Sequence, residues 1–418
     1  MTSHGGPRLL RQLGLLDAIF AALGTMIGAG VFVAMGQAAG ATGGSLPLAI
    51  LLSAVVAICN ALSAAELGIN YPLAGGAYEF GYRVIAPTVG FTAGWIFLLA
   101  GVAGGATYTL TFAYYLEPFL YGLPLRVTSV ALTAMALIIN ALGIRISARA
   151  NNALVIFKIV ILLTFVAIGI LAFDPHRLTP FFLGGASGLL TAAALLFFAF
   201  TGYARPVTIV EELRNPRSDL PRAVAIAVGS TTLLYLAVGT VALGLVGPQA
   251  LGESRAPLRT ALELGRVPFG PDLISVGALV ATGNVLLMEL WGLSRLVFAM
   301  ARRGDLPSHL AHIETNGVPL RALIAVGLIV IILTALVDLR PALEASSLGL
   351  LIYYGLTNLA ALRLEPSARL FHPVVPALGL GGCIVLSLSL PSSTILINLG
   401  VIALGLAYYY LVKPRLVA

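Results

Sequence analysis

The chain has 418 residues, 59% of them hydrophobic and 10% charged, with a mean hydropathy of +1.00 and a net charge of +7. That composition excludes a water-soluble domain and reads as a polytopic, all-α membrane protein. A span needs ~20 apolar residues, and twelve are predicted, over 15–39, 45–67, 88–115, 124–143, 150–172, 186–212, 222–246, 272–301, 320–337, 341–361, 373–390 and 392–412.

The first span carries Gly24-Thr-Met-Ile-Gly28-Ala-Gly30-Val-Phe32, three glycines where a membrane helix should be least interrupted. Glycine weakens a helix by roughly 0.5–1 kcal/mol relative to alanine, so the backbone here is expected to unwind and free amides and carbonyls. Lipid does not satisfy such groups, and transporters use them to grip substrate. Close helix packing is the other use of small residues, and this segment alone fits both. Its apolar run is too long for a cleaved signal, and it contains Asp17 with no small-residue cleavage site before it.

Between spans two and three, Asn70-Tyr-Pro72-Leu-Ala-Gly75-Gly76-Ala-Tyr78-Glu-Phe80-Gly-Tyr82-Arg83 reads as an internal loop with a short helix. In span five stands Lys158, one of two lysines in the chain. It lies about 13 Å from the start of that span at ~1.5 Å per residue. A lysine stem snorkels over only part of that distance, and an ionisable group at such depth is a functional candidate.

Span six is interrupted by Phe198-Ala-Phe200-Thr-Gly202-Tyr-Ala-Arg205-Pro206. Interruptions in spans one and six open two groups of five, 15–172 and 186–361, and point to an inverted repeat with the site between its halves. Spans eleven and twelve, 373–412, would be an appendix to one transport domain. The charged turn Glu211 to Ala223 reads as a solvated loop, and 247–271 as the longest loop, too short for a soluble domain. Span eight carries Glu289 deep inside. Arg205 and Glu289 are expected to form a buried ion pair, because an unpaired charge there costs several kcal/mol; either could instead set substrate preference. Arg295 reads as a snorkelling or loop-contacting residue.

With the N-terminus inside, cytoplasmic segments hold Arg8, Arg11, Arg83, Arg145, Arg149, Arg214, Arg217, Arg222, Arg302, Arg303, Arg321, Arg363, Arg369, Lys413 and Arg415. External segments hold Arg126, Arg177, Arg255, Arg259, Arg266 and Arg340. This asymmetry predicts a multi-pass protein of the cytoplasmic membrane with both termini in the cytoplasm, and it accounts for the positive charge without nucleic acid. Cys59 and Cys383 both fall within spans, so no disulfide-linked partner subunit is expected. The five histidines form no ligand set, no metal or cofactor is expected, and no ATP-binding or hydrolase motif is present.

Four stretches together resemble the amino acid–polyamine–organocation (APC) superfamily of permeases. They are Gly24 to Phe32; Tyr71-Pro-Leu-Ala-Gly-Gly-Ala-Tyr78 running on to Gly90-Phe-Thr-Ala-Gly-Trp95; Phe197 to Tyr203 followed by Glu211-Glu212-x-x-Asn215-Pro216-Arg217-x-x-Leu-Pro221-Arg222; and Ser294-Arg295-x-x-x-Ala-Met300-Ala-Arg-x-Gly304-x-Leu-Pro307. The resemblance covers 15–320; the last two spans match in hydropathy only. It implies a LeuT-like fold of five plus five inverted spans with broken helices one and six, and a small substrate bearing amine and carboxylate groups.

By that resemblance the substrate carboxylate meets backbone amides of Gly28, Ala29 and Gly30. Its ammonium meets carbonyls of Thr25, Met26, Phe198, Ala199 and Thr201, with Gly202 permitting close approach. Phe200 and Tyr203 are walls or gates, or else aromatics of an apolar core. Lys158 takes the place where sodium-coupled relatives of the fold hold a cation, contacting span-one carbonyls near Gly24 and the polar groups Thr282 and Asn284 of span eight. The function so implied is sodium-independent amino acid transport by alternating access, coupled to protons as a symporter and favouring neutral substrates because the 198–203 wall is apolar. An exchanger or facilitator on the same scaffold is the alternative. A non-transporting sensor is disfavoured by the short ends, and an enzyme by the lack of a nucleophile and base within the spans.

Overall fold

The computed structural model describes residues 12–72, 76–120, 122–144, 148–267 and 269–413; Arg8, Arg11, Arg145, Arg415 and the stretch 73–75 singled out above lie outside these. Among the described residues the chain is helical and forms no strand, only an isolated bridge between Leu13 and Leu213. Eight helical segments among the described residues are long and apolar enough to cross a membrane, and four shorter apolar helices accompany them there. Helices are what this composition demands, because backbone polar groups in lipid must be satisfied within their own segment.

In chain order the principal helices are α1 (Leu15–Met26), α2 (Met35–Thr42), α3 (Leu46–Asn70), α4 (Pro87–Leu116), α5 (Leu125–Ala141), α6 (Ala148–Gly169), α7 (Gly185–Phe200), α8 (Pro216–Glu253), α9 (Gly270–Arg302), α10 (Leu320–Leu336), α11 (Leu339–Leu362), α12 (Val374–Leu388) and α13 (Ser392–Ala407). They sort into two packed groups. In one, α1, α2, α3, α7 and α8 lie against one another; in the other, α4 packs on α9, α10 and α11, and α5 on α10. Helix α6 bridges the groups through α1, α8 and α9. The additional helix α12 lies on α11 and α3, while α13 is largely exposed along its length.

The stretch 247–271, expected as the longest loop, is largely helical. Helix α8 bends at Gly247, which takes φ 82° and ψ 167°, and continues to Glu253; Pro257–Leu264 adds a further helix. The prolines that look like loop punctuation stand where helices begin, and a first-turn proline forfeits only a donor that has no intrahelical partner there. The segment after Gly76 forms a single α-turn, Ala77–Phe80, and a wider turn, Gly81–Ile85, before Pro87 opens α4.

Candidate functional site at the two helix breaks

Helix α1 ends at Met26. Ile27 follows at φ −81° and ψ 80°, and the Gly28 amide donates to the Met26 carbonyl at 2.9 Å, an inverse γ-turn centred on Ile27. The chain then re-enters helix at Ala29, running through a wide turn, Gly30–Ala34, into α2. Ala29 and Gly30 therefore present amides at a helix start, where no intrahelical acceptor exists.

The second break is milder. Helix α7 tightens after Phe200 into a 3-10 turn, Thr201–Ala204, and Thr201 Oγ1 donates to the Phe198 carbonyl at 2.9 Å. The two breaks touch directly. Thr25 Oγ1 lies 3.0 Å from both the Ala22 and the Gly202 carbonyl, its one proton shared between them. A Cβ on Gly30 would collide with Ala199, and one on Gly202 would meet Thr25 and the Met26 amide, whereas one on Gly28 would face Val285 of α9 at 3.0 Å.

The aromatics near the breaks point in different directions. Phe198 faces Tyr108 of α4 at 5.4 Å between ring centroids; Phe200 is fully buried against Tyr235 of α8 at 5.3 Å; and Tyr203 is fully buried against Tyr354 of α11 at 4.9 Å. Met26, Ala29 and Ala199 are buried, while Thr25, Thr201 and Gly202 are half-buried.

Two residues at this site were not singled out from the sequence. The Tyr235 phenol lies 2.7 Å from the Met26 carbonyl and 3.1 Å from that of Ala199, and the Tyr354 phenol donates to the Thr201 carbonyl at 3.1 Å. Their signal was slight: a tyrosine buried in an apolar helix needs a partner for its hydroxyl, but the partner is remote in sequence.

Lys158 is fully buried, and its Nζ donates to the Gly24 carbonyl at 2.9 Å. A Cβ on Gly24 would meet Asn151, two turns before Lys158 on α6, at 2.7 Å, so glycine is what lets α1 and α6 approach here. Thr282 and Asn284, expected beside the ammonium, make no hydrogen bond with it among the described residues. The Thr282 hydroxyl donates back to Ala278 of its own helix at 2.7 Å. The buried amide of Asn284 has no partner among the described residues.

The expected ion pair between Arg205 and Glu289 is not a direct contact among the described residues, although each charge acts on the other. The Arg205 guanidinium lies over the Trp291 ring, 5.0 Å from its centroid, and Arg295 lies over the same ring at 3.9 Å. Arg205 therefore rests on the Trp291 face while remaining near enough to Glu289 for the two opposite charges to act on each other. The half-buried Glu289 carboxylate lies instead beside Gly101 of α4.

A second charged cluster sits where the chain leaves α9. Asp305, fully buried, accepts the Tyr78 hydroxyl at 2.7 Å, the Tyr82 hydroxyl at 2.6 Å and Lys413 Nζ at 2.6 Å. Arg303 pairs with Glu79 and covers both tyrosine rings. Burial, and then the hydrogen bond to Asp305, pushes both phenols well above their usual range, so they remain donors. Cys59 and Cys383 are buried and free.

The amino acid permease family model matches residues 17–415. The chain is 40% identical over 404 residues to an uncharacterized transporter of Mycobacterium tuberculosis (strain ATCC 25618 / H37Rv), covering 96% of this chain and 91% of the relative. It is 30% identical over 443 residues to the branched-chain amino acid permease of Bacillus subtilis (strain 168), with 99% and 95% covered, and 28% identical over 436 residues to the methylthioribose transporter of the same strain, with 97% and 94% covered. Matched over nearly its whole length, this integral multi-pass membrane chain belongs to the amino acid permease family, and it is a transporter, not an enzyme.

Proposed function

We propose that this permease is a sodium-independent symporter that moves neutral amino acids with protons across the cell membrane by alternating access, on twelve spans arranged as two inverted groups of five and two additional helices, both termini cytoplasmic. The observation that carries the reading is the direct contact of the two breaks, Thr25 on Gly202 and Gly30 on Ala199. Contact brings a helix start with free amides beside the carbonyl ends of α1 and α7, which offers a zwitterion both signs of partial charge. The carboxylate binds the amides of Ala29 and Gly30, and that of Gly28 once it leaves the Met26 carbonyl; the ammonium binds carbonyls of the Thr25–Met26 and Phe198–Thr201 segments.

Two further features support the reading. The first two spans of each five, α1 to α3 and α7 to α8, pack extensively with one another and meet α4 and α9 at fewer places, an arrangement in which one group can rock against the other. The Lys158 ammonium already occupies a span-one carbonyl, which leaves no call for sodium and supplies a group whose charge can change. Neutral substrates suit the apolar surroundings of Phe198 to Tyr203, and the branched-chain permease of B. subtilis is a relative over almost its full length.

The same Lys158 contact favours one second reading, an exchanger or facilitator in which the lysine is a permanent cation. Uptake into proteoliposomes decides. One labelled amino acid is competed against all twenty, with and without an inward pH gradient, with internal substrate, and with choline for sodium. Accumulation driven by the pH gradient alone supports symport; flux only against internal substrate supports exchange; and competition by none of the twenty refutes an amino acid site.

A further inference from the structure

Helix α1 ends at Met26 and α7 at Phe200, so the carbonyls of Met26 and Ala199 belong to the last turns of two broken helices, where intrahelical donors run out. They are also the negative ends of two helix dipoles. One side chain reaches both. Tyr235 is fully buried, and its phenol oxygen lies 2.7 Å from one carbonyl and 3.1 Å from the other. A phenol has one proton, so a single donor is divided between two acceptors, and Met26 shares in addition the Gly28 amide. The pair remains short of donors by an amount that a primary ammonium, with three N–H bonds, can supply.

The ring has little freedom. Phe200 packs on its face or edge at 5.3 Å and an interplanar angle of 64°, and Thr231, one turn earlier on α8, points its hydroxyl at the Met26 sulfur at 3.8 Å. We propose that Tyr235 is a positioning residue for the substrate's amine: its phenol holds the Met26 and Ala199 carbonyls to one point and so fixes where a primary ammonium sits between the breaks. The proposal rests on the reading of the breaks as the amino acid site. It assigns Tyr235 a task beyond joining helices, namely selection for a primary amine over a substituted or missing one. A secondary amine has one N–H fewer, and its methyl group would have to enter the space where carbonyls converge.

The test compares wild type with Tyr235→Phe, which keeps the ring and its contact with Phe200 and removes only the oxygen. In proteoliposomes, L-leucine, N-methyl-L-leucine and 4-methylpentanoate compete for uptake of labelled L-leucine. The expected result is a KM for leucine raised about tenfold at a maximal rate within roughly twofold of wild type, with the preference for leucine over its N-methyl derivative falling by a similar factor. A merely structural tyrosine would lower the amount of active protein and leave that preference untouched, and an unchanged preference overturns the proposal. Tyr235→His, whose ring N–H can donate, should restore part of the preference. If neither variant elutes as a folded monodisperse protein, the residue is structural and the proposal fails. Failure of the underlying reading looks different: the wild type itself would then show no uptake of leucine or of any competing amino acid.

Discussion

Alanine in place of glycine should separate the glycines that hold the breaks together from the one that faces the outer helix. A Cβ on Gly202 would stand 2.5 Å from Thr25 Oγ1 and 2.6 Å from the Thr25 carbonyl carbon. Backbone cannot turn aside as a flexible side-chain end can, so the two breaks would have to part by about 1 Å to reach ordinary contact, which stretches the 3.0 Å Thr25–Gly202 hydrogen bond beyond bonding range. Overpacking of this kind costs about 1–3 kcal/mol and the loss of the half-buried hydrogen bond roughly 1 kcal/mol more. Gly30→Ala should behave alike, since its Cβ would enter Ala199. Gly28→Ala differs, because its Cβ would meet only a Val285 methyl group at 3.0 Å, which can give by a few tenths of an ångström. The assay is the thermal unfolding midpoint of detergent-purified protein, with uptake of the best competing amino acid alongside. Gly202→Ala and Gly30→Ala should unfold clearly below wild type and lose most uptake, while Gly28→Ala should unfold near wild type. Equal midpoints for all three would refute the reasoning that the breaks are in tight backbone contact.

Three other outcomes follow from side-chain contacts. Lys158→Ala should leave substrate binding measurable, because the backbone grip does not use the ammonium, yet abolish accumulation driven by an inward pH gradient; persistence of that accumulation removes Lys158 as the coupling group. The double reversal Arg205→Glu with Glu289→Arg should lose less thermal stability than the two single reversals added together, because the two opposite charges act on each other even though the guanidinium rests on Trp291; strictly additive losses would remove the coupling. Asp305→Asn should lower the unfolding midpoint more than Lys413→Ala, because the first weakens the acceptor of three donors and the second removes one donor; the reverse order would show that the lysine alone fastens the last helix.

What the sequence made legible was mainly backbone grammar. Three glycines in seven residues mark a break, and the chain turns at Ile27 and Gly28 inside that stretch. The contact of Lys158 with the Gly24 carbonyl followed from the family resemblance and not from spacing, since 134 residues separate the two. Side-chain partners across helices were not legible. Arg205 and Glu289 are opposite charges that charge alone brings together; that the guanidinium rests on the aromatic face of Trp291, two positions along, was not legible. Tyr235 and Tyr354 carry no local pattern either, because an isolated hydroxyl in an apolar helix names a need for an acceptor without naming the acceptor. The acceptors turn out to be carbonyls freed by the breaks. A broken helix in lipid must be repaired by donors from elsewhere, and here two phenols from later helices do part of that repair; one phenol proton divided between two carbonyls leaves acceptor capacity over. On the proposed reading, that capacity, more than the glycines themselves, is what would give an ammonium its place between the breaks.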